Sequence, residues 1–241
     1  KLVGILTRRE SERFFGQRFG MYGMRNFGDN FGSDGMNWDN LEYDMTHSCL
    51  VQYMRTGDLR ALRVGRECHL HNRDVDCVTI WPGFERLCHH TEDHSKEPGG
   101  LGHMWCEGAW EHYFLTGDRR SARKAIGISN DFARYTARLV AIGTPGAGGE
   151  RDNGWSVVGL MAAYRATADP LYLNAAREIE EVTVRTQHPF KGGWIQHLAT
   201  GHCFHAPAHS GRVYFMHDIV LDGQVLFHQV THDPDVEECL V

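Results

Sequence analysis

Residues 102–118 read GHMWCEGAWEHYFLTGD, and this stretch sets the expectation for the fold. Its apolar side chains recur at helical spacing, while His103, Glu107 and Glu111 follow one another four residues apart. This pattern predicts an amphipathic helix that begins near His103 and ends at the Thr-Gly-Asp turn of residues 116–118. Its polar side chains fit either a carbohydrate-binding groove or an ordinary solvated helix face.

The chain repeats this pattern of a helix, a Thr-x-Asp turn and a second helix. The turn threonines lie at positions 56, 116, 167 and 231, which are 60, 51 and 64 residues apart. Repeats of this period indicate stacked helical hairpins. The sequence therefore predicts an all-α fold, an α/α toroid with long loops at one rim. The alternative is a set of unrelated helices whose Thr-x-Asp turns are coincidental.

Two regions are expected along the chain. Residues 1–37 form a Gly- and aromatic-rich N-terminal segment, in which frequent glycine excludes a long helix, and we expect this segment to pack on the toroid. Residues 38–241 form the toroid domain. Four hairpins do not close a complete toroid, and the chain begins with Lys1 and ends on an apolar Leu-Val pair. We therefore expect an incomplete barrel, truncated at both ends.

Composition excludes several classes of partner. The 241 residues carry a formal net charge of −6, and Lys and Arg never run beyond two in succession, which argues against nucleic acid. No apolar run approaches the roughly 20 residues that span a bilayer, so no membrane partner is expected. We expect a secreted or periplasmic protein whose signal peptide is not in this chain.

The cysteines and short motifs add mainly negative information. Seven cysteines at irregular spacing form neither a disulfide framework nor a CxxC metal motif. Cys49, Cys68, Cys77 and Cys106 fall within helical patterns, where buried thiols are common. The sequence contains no GxSxG motif and no P-loop, so serine-type nucleophilic catalysis and nucleotide binding have no support.

Polar and aromatic residues crowd the start of each first helix, and Asp39 or Asn40 is expected to cap the first of these helices. If the first helices form the inner ring of a toroid, these residues converge on one opening, where Trp38, Trp105 and Trp155 offer flat apolar faces to sugar rings. Tryptophan at a helix start equally fits core packing. Glu111 lies one turn deeper than Glu107, and we predict that it is structural and ties its helix to a neighbour.

Two long loops, residues 79–102 and 188–216, add polar side chains to this opening. The first loop holds a dense group of candidate metal ligands: His89, His90, Glu92, Asp93 and His94. Zn²⁺ or Ca²⁺ would suit such a group, either as a structural or as a catalytic ion. However, no HxH or HExxH spacing defines a geometry there, so we assign no metal ligand and no certain cofactor.

The second loop is the expected location of acid–base or anion-binding groups, because histidines share it with basic and phenolic side chains. The histidines are His202, His205 and His209, and the neighbouring groups are Lys191, Arg212 and Tyr214.

Three stretches resemble a known group of proteins. They are FGDNFGSDGMNWDNLEYDMTHSCLVQYMRTGD (residues 27–58), GHMWCEGAWEHYFLTGD (residues 102–118) and RDNGWSVVGLMAAYRATAD (residues 151–169). Over about residues 24–240, the chain is similar to the six-hairpin (α/α) toroid proteins that act on polysaccharides, and within them most to the exo-acting rhamnogalacturonan lyases and their bacterial relatives. The Asn-Trp-Asp-Asn-x-Glu-Tyr-Asp block is the most specific part, whereas the Thr-Gly-Asp turns are informative about fold more than about reaction.

The resemblance implies a lyase that cleaves a uronic-acid-containing polysaccharide or oligosaccharide by β-elimination. Such a reaction needs a group that neutralises the substrate carboxylate, a base for the C5 proton and an acid for the leaving oxygen. We expect Arg151 or Arg212 to bind the carboxylate, and tyrosines and histidines to transfer protons. The candidate catalytic residues are Tyr43, His103, Arg151, His205, His209, Arg212 and Tyr214. The candidate substrate-binding residues are Trp38, Asp39, Asn40, Trp105, Glu107, Asp152, Asn153, Trp155, Lys191 and His217.

Two other functions are compatible with the same residues. A six-hairpin glycoside hydrolase would need a carboxylate pair, which Asp39, Glu42, Glu107 and Asp152 offer. A non-catalytic carbohydrate-binding toroid would keep the tryptophan faces and have no need of the acid–base groups.

Overall fold

The computed structural model describes residues 27–28, 30–32, 35–37, 41–89, 94, 98–142, 149–188, 190, 192–194, 196–198, 209–211 and 213–240. Helices dominate this part of the chain, which confirms a mainly helical fold. They are α1 (Met45–Thr56), α2 (Leu59–Asp74), α3 (Glu107–Thr116), α4 (Arg119–Ile142), α5 (Glu150–Thr167), α6 (Pro170–Thr186), α7 (Tyr214–Thr231) and α8 (Pro234–Cys239).

Three antiparallel two-stranded hairpins lie between or before the helices in the described residues. The first pairs β1 (Asn30–Gly32) with β2 (Gly35–Asn37), the second pairs β3 (Cys77–Trp81) with β4 (Phe84–Leu87), and the third pairs β5 (Gln196–Leu198) with β6 (His209–Gly211). A short 3₁₀ helix, Leu101–His103, precedes α3.

The chain divides into two compact units, Lys1–Asp131 and Phe132–Val241, so that the division falls within α4. In the first unit, α1 packs against both α2 and α3. In the second unit, α5 packs against α6 and α7, and α8 packs against α6 and α7. Within each unit, the first helices of two successive hairpins are therefore direct neighbours.

Glycine makes these close helix contacts possible. A Cβ added at Gly154 of α5 would lie 2.7 Å from the backbone carbonyl of Ile219 in α7, and one added at Gly65 of α2 would lie 2.9 Å from the Cβ of Cys49 in α1. Side chains at these positions would force the helix pairs apart. The cluster beside the second contact consists of Leu41, Cys49, Ala61, Val64 and Cys68.

The four predicted Thr-x-Asp turns have the same hydrogen bonds. In each turn the threonine Oγ1 donates to the carbonyl oxygen four residues earlier, at 2.6 to 3.0 Å, and accepts the aspartate N–H, at 3.2 to 3.3 Å. The aspartate Oδ1 then accepts the N–H two residues later and caps the second helix. The middle residue has left-handed backbone geometry in every turn: Gly57, Gly117, Ala168 and His232. The predicted helix–turn–helix repeat is confirmed at these positions.

The starts of two helices differ from the prediction. The helix expected to begin near His103 begins at Glu107, because Met104 is extended and separates the 3₁₀ turn from α3. The first helix, expected to be capped by Asp39 or Asn40, begins at Met45 with Asp44 as its N-cap. Left-handed geometry at Leu41 and Tyr43 prevents an earlier helical start.

The loop expected at residues 79–102 contains more regular structure than predicted. Cys77 begins strand β3 rather than continuing a helix, and β3 pairs with β4 around a Pro82-Gly83 turn in which Gly83 has φ 81°. A Pro-Gly dipeptide between β-branched and aromatic residues favours a hairpin over helix or open loop.

Candidate functional site

Asp44 joins the N-terminal ends of α1 and α3. Its Oδ1 accepts the N–H of His47 in α1, and its Oδ2 accepts the N–H of Gly108 in α3, both at 3.0 Å. The carboxylate is buried, and a Cβ on Gly108 would lie 2.5 Å from its Oδ1. One side chain therefore fixes the relative position of two helix starts that are 64 residues apart in sequence.

The segment before α1 is conformationally strained. Leu41, Tyr43 and Asp44 have φ values of 59°, 68° and 37°, in the left-handed region that costs a non-glycine residue about 1–2 kcal/mol. The buried Leu41 side chain and the Asp44 hydrogen bonds hold this conformation in place. Clustered strain of this kind is typical of ligand-binding and catalytic segments.

A histidine–carboxylate pair lies beside this strained segment. Glu42 Oε1 hydrogen-bonds with Nδ1 of His103, and both side chains are largely buried. The ring of His89 stacks on His103, with centroids 3.5 Å apart and an interplanar angle of 14°. A carboxylate at Nδ1 selects the tautomer with its proton there and makes Nε2 the basic nitrogen, the arrangement of a histidine general base.

Two aromatic residues complete the group. Tyr43 stacks on Trp105, with centroids 6.4 Å apart and an interplanar angle of 15°. Tyr43 is 36% exposed, whereas Trp105 is 4% exposed. The accessible aromatic surface is thus that of Tyr43, and Trp105 supports it from the core. We name the group formed by Glu42, Tyr43, His89, His103 and Trp105 the Glu42–His103 site.

A second histidine–carboxylate pair lies within α1 and α3 themselves and links the two helices. His47 Nδ1 lies 2.8 Å from Glu111 Oε1. Burial lowers the pKa of His47, but the hydrogen bond to Glu111 and the charges of Glu107 and Asp44 outweigh burial and raise this pKa to about 10. His47 is therefore protonated at neutral pH. The prediction that Glu111 ties its helix to a neighbour is confirmed by this ion pair.

In the second unit, four predicted residues follow one another in the first turns of α5: Arg151, Asp152, Asn153 and Trp155. Asn153 is buried and donates to Thr183 Oγ1 at 3.4 Å. Tyr214 is the first residue of α7 and is 81% exposed. Arg151, Asp152, Asn153 and Trp155 thus lie near the start of α5, as the sequence predicts.

His217, also predicted to bind substrate, is buried in the second unit. Its Nε2 accepts the N–H of Trp194 at 2.8 Å, and its Nδ1 lies 3.2 Å from the carbonyl oxygen of Val213. Both ring nitrogens contact the backbone, so His217 holds the segment around Trp194 against α7.

Several predicted site residues fall outside the described part of the chain: Trp38, Asp39, Asn40, Lys191, His205 and Arg212. His209 begins β6, where its backbone pairs with Leu198. Convergence of all the candidate residues on one opening stays a prediction.

A cleft of about 180 Å³ lies in the second unit, between α6, α7 and α8. Its lining includes Arg177, Glu180, Phe227 and Asp233, and none of the predicted site residues contributes to it. Burial, with a smaller contribution from the Asp233 charge, raises the pKa of Glu180 to about 8 against the opposing effect of Gln224. The cleft presents mixed charges, and Phe227, the aromatic residue in its lining, is 0% exposed, so it offers no accessible face of the kind that sugar rings prefer.

His94 has an environment that the sequence does not indicate. It meets His71 and Asp76, which come from the end of α2 and the residue before β3. Neither partner stands out in the sequence. His71, for example, is one of several polar positions on an amphipathic helix.

No family model, no curated protein and no solved structure matches this chain. Among the helices that the structure describes, none is long and apolar enough to cross a membrane.

Proposed function

We propose that this protein is a carbohydrate-active lyase that cleaves a uronic-acid-containing polysaccharide, of the pectic rhamnogalacturonan type, by β-elimination. The observation that carries the proposal is the Glu42–His103 pair beside the exposed Tyr43. The sequence resemblance to exo-acting rhamnogalacturonan lyases agrees with it.

In the proposed reaction, His103 is the base and Tyr43 is the acid. Nε2 of His103 takes the proton from C5, the electron pair of that bond forms the C4–C5 double bond, and the C4–O bond breaks as the phenol of Tyr43 protonates the leaving oxygen. Glu42 orients the imidazole and stabilises the imidazolium that forms. Positioned proton transfer of this kind accelerates reactions by about 10²–10⁴-fold.

The surroundings of the pair suit a sugar ring. The segment that carries Glu42 and Tyr43 is held in place by Asp44, whose carboxylate accepts one N–H from α1 and one from α3. The exposed face of Tyr43, supported by Trp105, offers an apolar surface against which a sugar ring can pack.

Glycoside hydrolysis is a second candidate, favoured by the acidic residues of the same region. The charges of Glu107, Asp44 and Glu111 together raise the pKa of His47, so several carboxylates lie near one another. A hydrolase needs two carboxyl groups on either side of the scissile bond, about 5–5.5 Å apart for retention or about 6.5–9.5 Å apart for inversion.

We further propose that the complete fold is an α/α toroid. In support, α1 packs on α3 in the first unit and α5 packs on α7 in the second, as successive inner helices of a toroid do. The repeated turns add to this support, because each one reverses the chain in the same way.

The reaction is tested by incubating the full chain with rhamnogalacturonan and with polygalacturonate. A lyase produces an unsaturated uronyl end, which is measured by its ultraviolet absorbance together with new reducing ends. New reducing ends without that absorbance would establish hydrolysis instead. Binding without either product would identify a carbohydrate-binding protein.

Variants locate the chemistry. His103→Gln and Tyr43→Phe are each expected to lower kcat by about 10²–10⁴-fold with an unchanged melting temperature, and Glu42→Gln is expected to have a smaller effect. His47→Gln is the matched control, because it removes a histidine–glutamate pair between α1 and α3, the helices that follow Glu42 and His103 in sequence. Equal losses in His103→Gln and His47→Gln would contradict the assignment of His103 as the base.

A further inference from the structure

Three potential metal ligands from separate segments meet inside the first unit. His71 belongs to the last turn of α2, Asp76 follows that helix by two residues, and His94 lies 18 residues beyond Asp76. Nδ1 of His94 is 2.6 Å from Oδ1 of Asp76, and Nε2 of His71 is 3.2 Å from Nδ1 of His94 and 3.3 Å from Oδ1 of Asp76. The three atoms thus form a small triangle.

Hydrogen bonding accounts for only two of the three contacts in this triangle. A ring nitrogen either donates or accepts, and an ionised carboxylate oxygen only accepts. If Nδ1 of His94 donates to Asp76, it cannot accept from His71. If this nitrogen instead accepts from His71, it carries no proton, and no donor then lies between it and the Asp76 oxygen 2.6 Å away. At most two of the three contacts can therefore be hydrogen bonds at once, whereas a cation at the centre attracts all three lone pairs.

The spacing fits a tetrahedral ion. Zn²⁺ bonds of about 2.0–2.1 Å to nitrogen and oxygen place neighbouring ligand atoms about 3.3–3.4 Å apart. The two separations that involve His71 have this size. The shorter contact between His94 and Asp76 would lengthen once a metal ion replaces the shared proton.

Burial and charge also favour a cation. Asp76 and His94 have no exposed side-chain surface, and the side chain of His71 is 9% exposed. Within the described residues, Oδ2 of Asp76 is buried and has no hydrogen-bond partner. The buried ammonium of Lys124 adds a positive potential at Asp76, but its hydrogen bonds go to the backbone and side-chain oxygens of Asn72. A buried carboxylate is costly unless a cation or donors compensate it.

From these contacts we infer that the first unit binds one Zn²⁺ ion through His71 Nε2, Asp76 and His94 Nδ1, with water completing the tetrahedron. The site is independent of the proposed reaction. Its depth indicates a structural role. The backbone N–H of Asp76 bonds to the His71 carbonyl, and the Asp76 carbonyl accepts the N–H of Cys88, so the ion would tie the end of α2 to the β3–β4 hairpin and to His94.

The test begins with the intact chain, stripped with a chelator, dialysed and reloaded with ZnCl₂. Mass spectrometry of the metal content is expected to give one Zn²⁺ per chain. Saturating Zn²⁺ is expected to raise the melting temperature by roughly 5–10 °C, since a ligand that binds only the folded state stabilises that state. Co²⁺ in place of Zn²⁺ is expected to show the visible bands of a tetrahedral site without the sulfur charge-transfer bands of a cysteine ligand.

Variants separate this site from adventitious binding. Asp76→Asn and His94→Asn are expected to lose the ion and the Zn²⁺-dependent rise in melting temperature. His112→Asn is the control: His112 is also a buried histidine of the first unit, stacked on His69 at 4.1 Å and bonded to Ser121 at 3.0 Å, and it is expected to keep the ion.

Two results would overturn the inference. One is a wild-type melting temperature unchanged by Zn²⁺ together with substoichiometric metal, which would leave a hydrogen-bonded triad only. The other is an equal metal content in wild type and His94→Asn, which would place the ion elsewhere. If Asp76→Asn fails to fold, the Co²⁺ spectra of wild type and His94→Asn decide the question.

Discussion

Asp44 is the residue that builds the candidate site, because its two oxygens hold the starts of two helices. Its backbone is left-handed at φ 37°, and the two residues before it, Tyr43 and Glu42, supply side chains to the Glu42–His103 site. The sequence block Asn-Trp-Asp-Asn-x-Glu-Tyr-Asp ends at this residue. The last residue of this block, Asp44, therefore has a structural role, since it holds the starts of both helices.

Asp44→Asn is expected to lower the free energy of unfolding by about 2–3 kcal/mol, since the amide nitrogen would face one of the two backbone donors that the carboxylate now accepts. Urea denaturation measures the change. Asp58→Asn is the control, because Asp58 caps α2 at an exposed position and accepts the Arg60 N–H. Equal losses in the two variants would mean that Asp44 acts as an ordinary cap.

At the scale of the element, the Thr-x-Asp turn is the recurring device. Its middle position needs left-handed backbone geometry, which glycine adopts easily and other residues adopt at a cost. Gly57 and Gly117 meet this need, whereas Ala168 and His232 adopt φ 57° and 53°. Two of the four turns therefore contain strain that the other two lack.

Ala168→Gly is expected to stabilise the protein by about 0.5–1 kcal/mol, because relief of the left-handed strain exceeds the added entropy of the unfolded chain. Gly57→Ala is the reverse change and is expected to destabilise by about 1 kcal/mol through strain alone, since a Cβ at Gly57 meets nothing within 4 Å. Chemical denaturation of both variants measures the effect. Changes of the same sign in the two would show that turn strain is not their cause.

At the scale of the whole molecule, buried ionisable groups make stability depend on pH. Glu180 is 2% exposed in the second unit, and burial raises its pKa from 4.5 to about 8. Between these values the folded state binds a proton that the unfolded state releases. Stability therefore falls as pH rises through this window.

Glu180→Gln is expected to remove this dependence, so that the variant gains up to a few kcal/mol relative to wild type at about pH 8 and little at about pH 5. Unfolding free energies measured at both pH values test it. Glu181→Gln changes the exposed neighbour and is expected to keep the wild-type slope. An unchanged slope in Glu180→Gln would show that Glu180 is ionised in the folded state.

Most of what the sequence predicts correctly depends on short-range interactions. Each Thr-x-Asp turn is made by hydrogen bonds between residues two to four positions apart, so its signature is visible in a few consecutive letters. Helical spacing of apolar residues likewise identified the hairpins, and the position of Glu111 one turn deeper than Glu107 indicated its structural role. The β3–β4 hairpin was also readable from its Pro82-Gly83 turn, but helical spacing around Cys77 obscured it.

The sequence by itself therefore determined a mainly helical chain of repeated hairpins, because helix periodicity and turn chemistry are local. Only the tertiary structure decided how α3 begins, since the carboxylate that accepts the Gly108 N–H belongs to Asp44, 64 residues away. It also brought together Glu42 with His103 and His94 with His71 and Asp76, pairings set by packing between helices and loops. Contacts across such distances leave no periodic trace in a single sequence, because many different folds would satisfy the same local pattern.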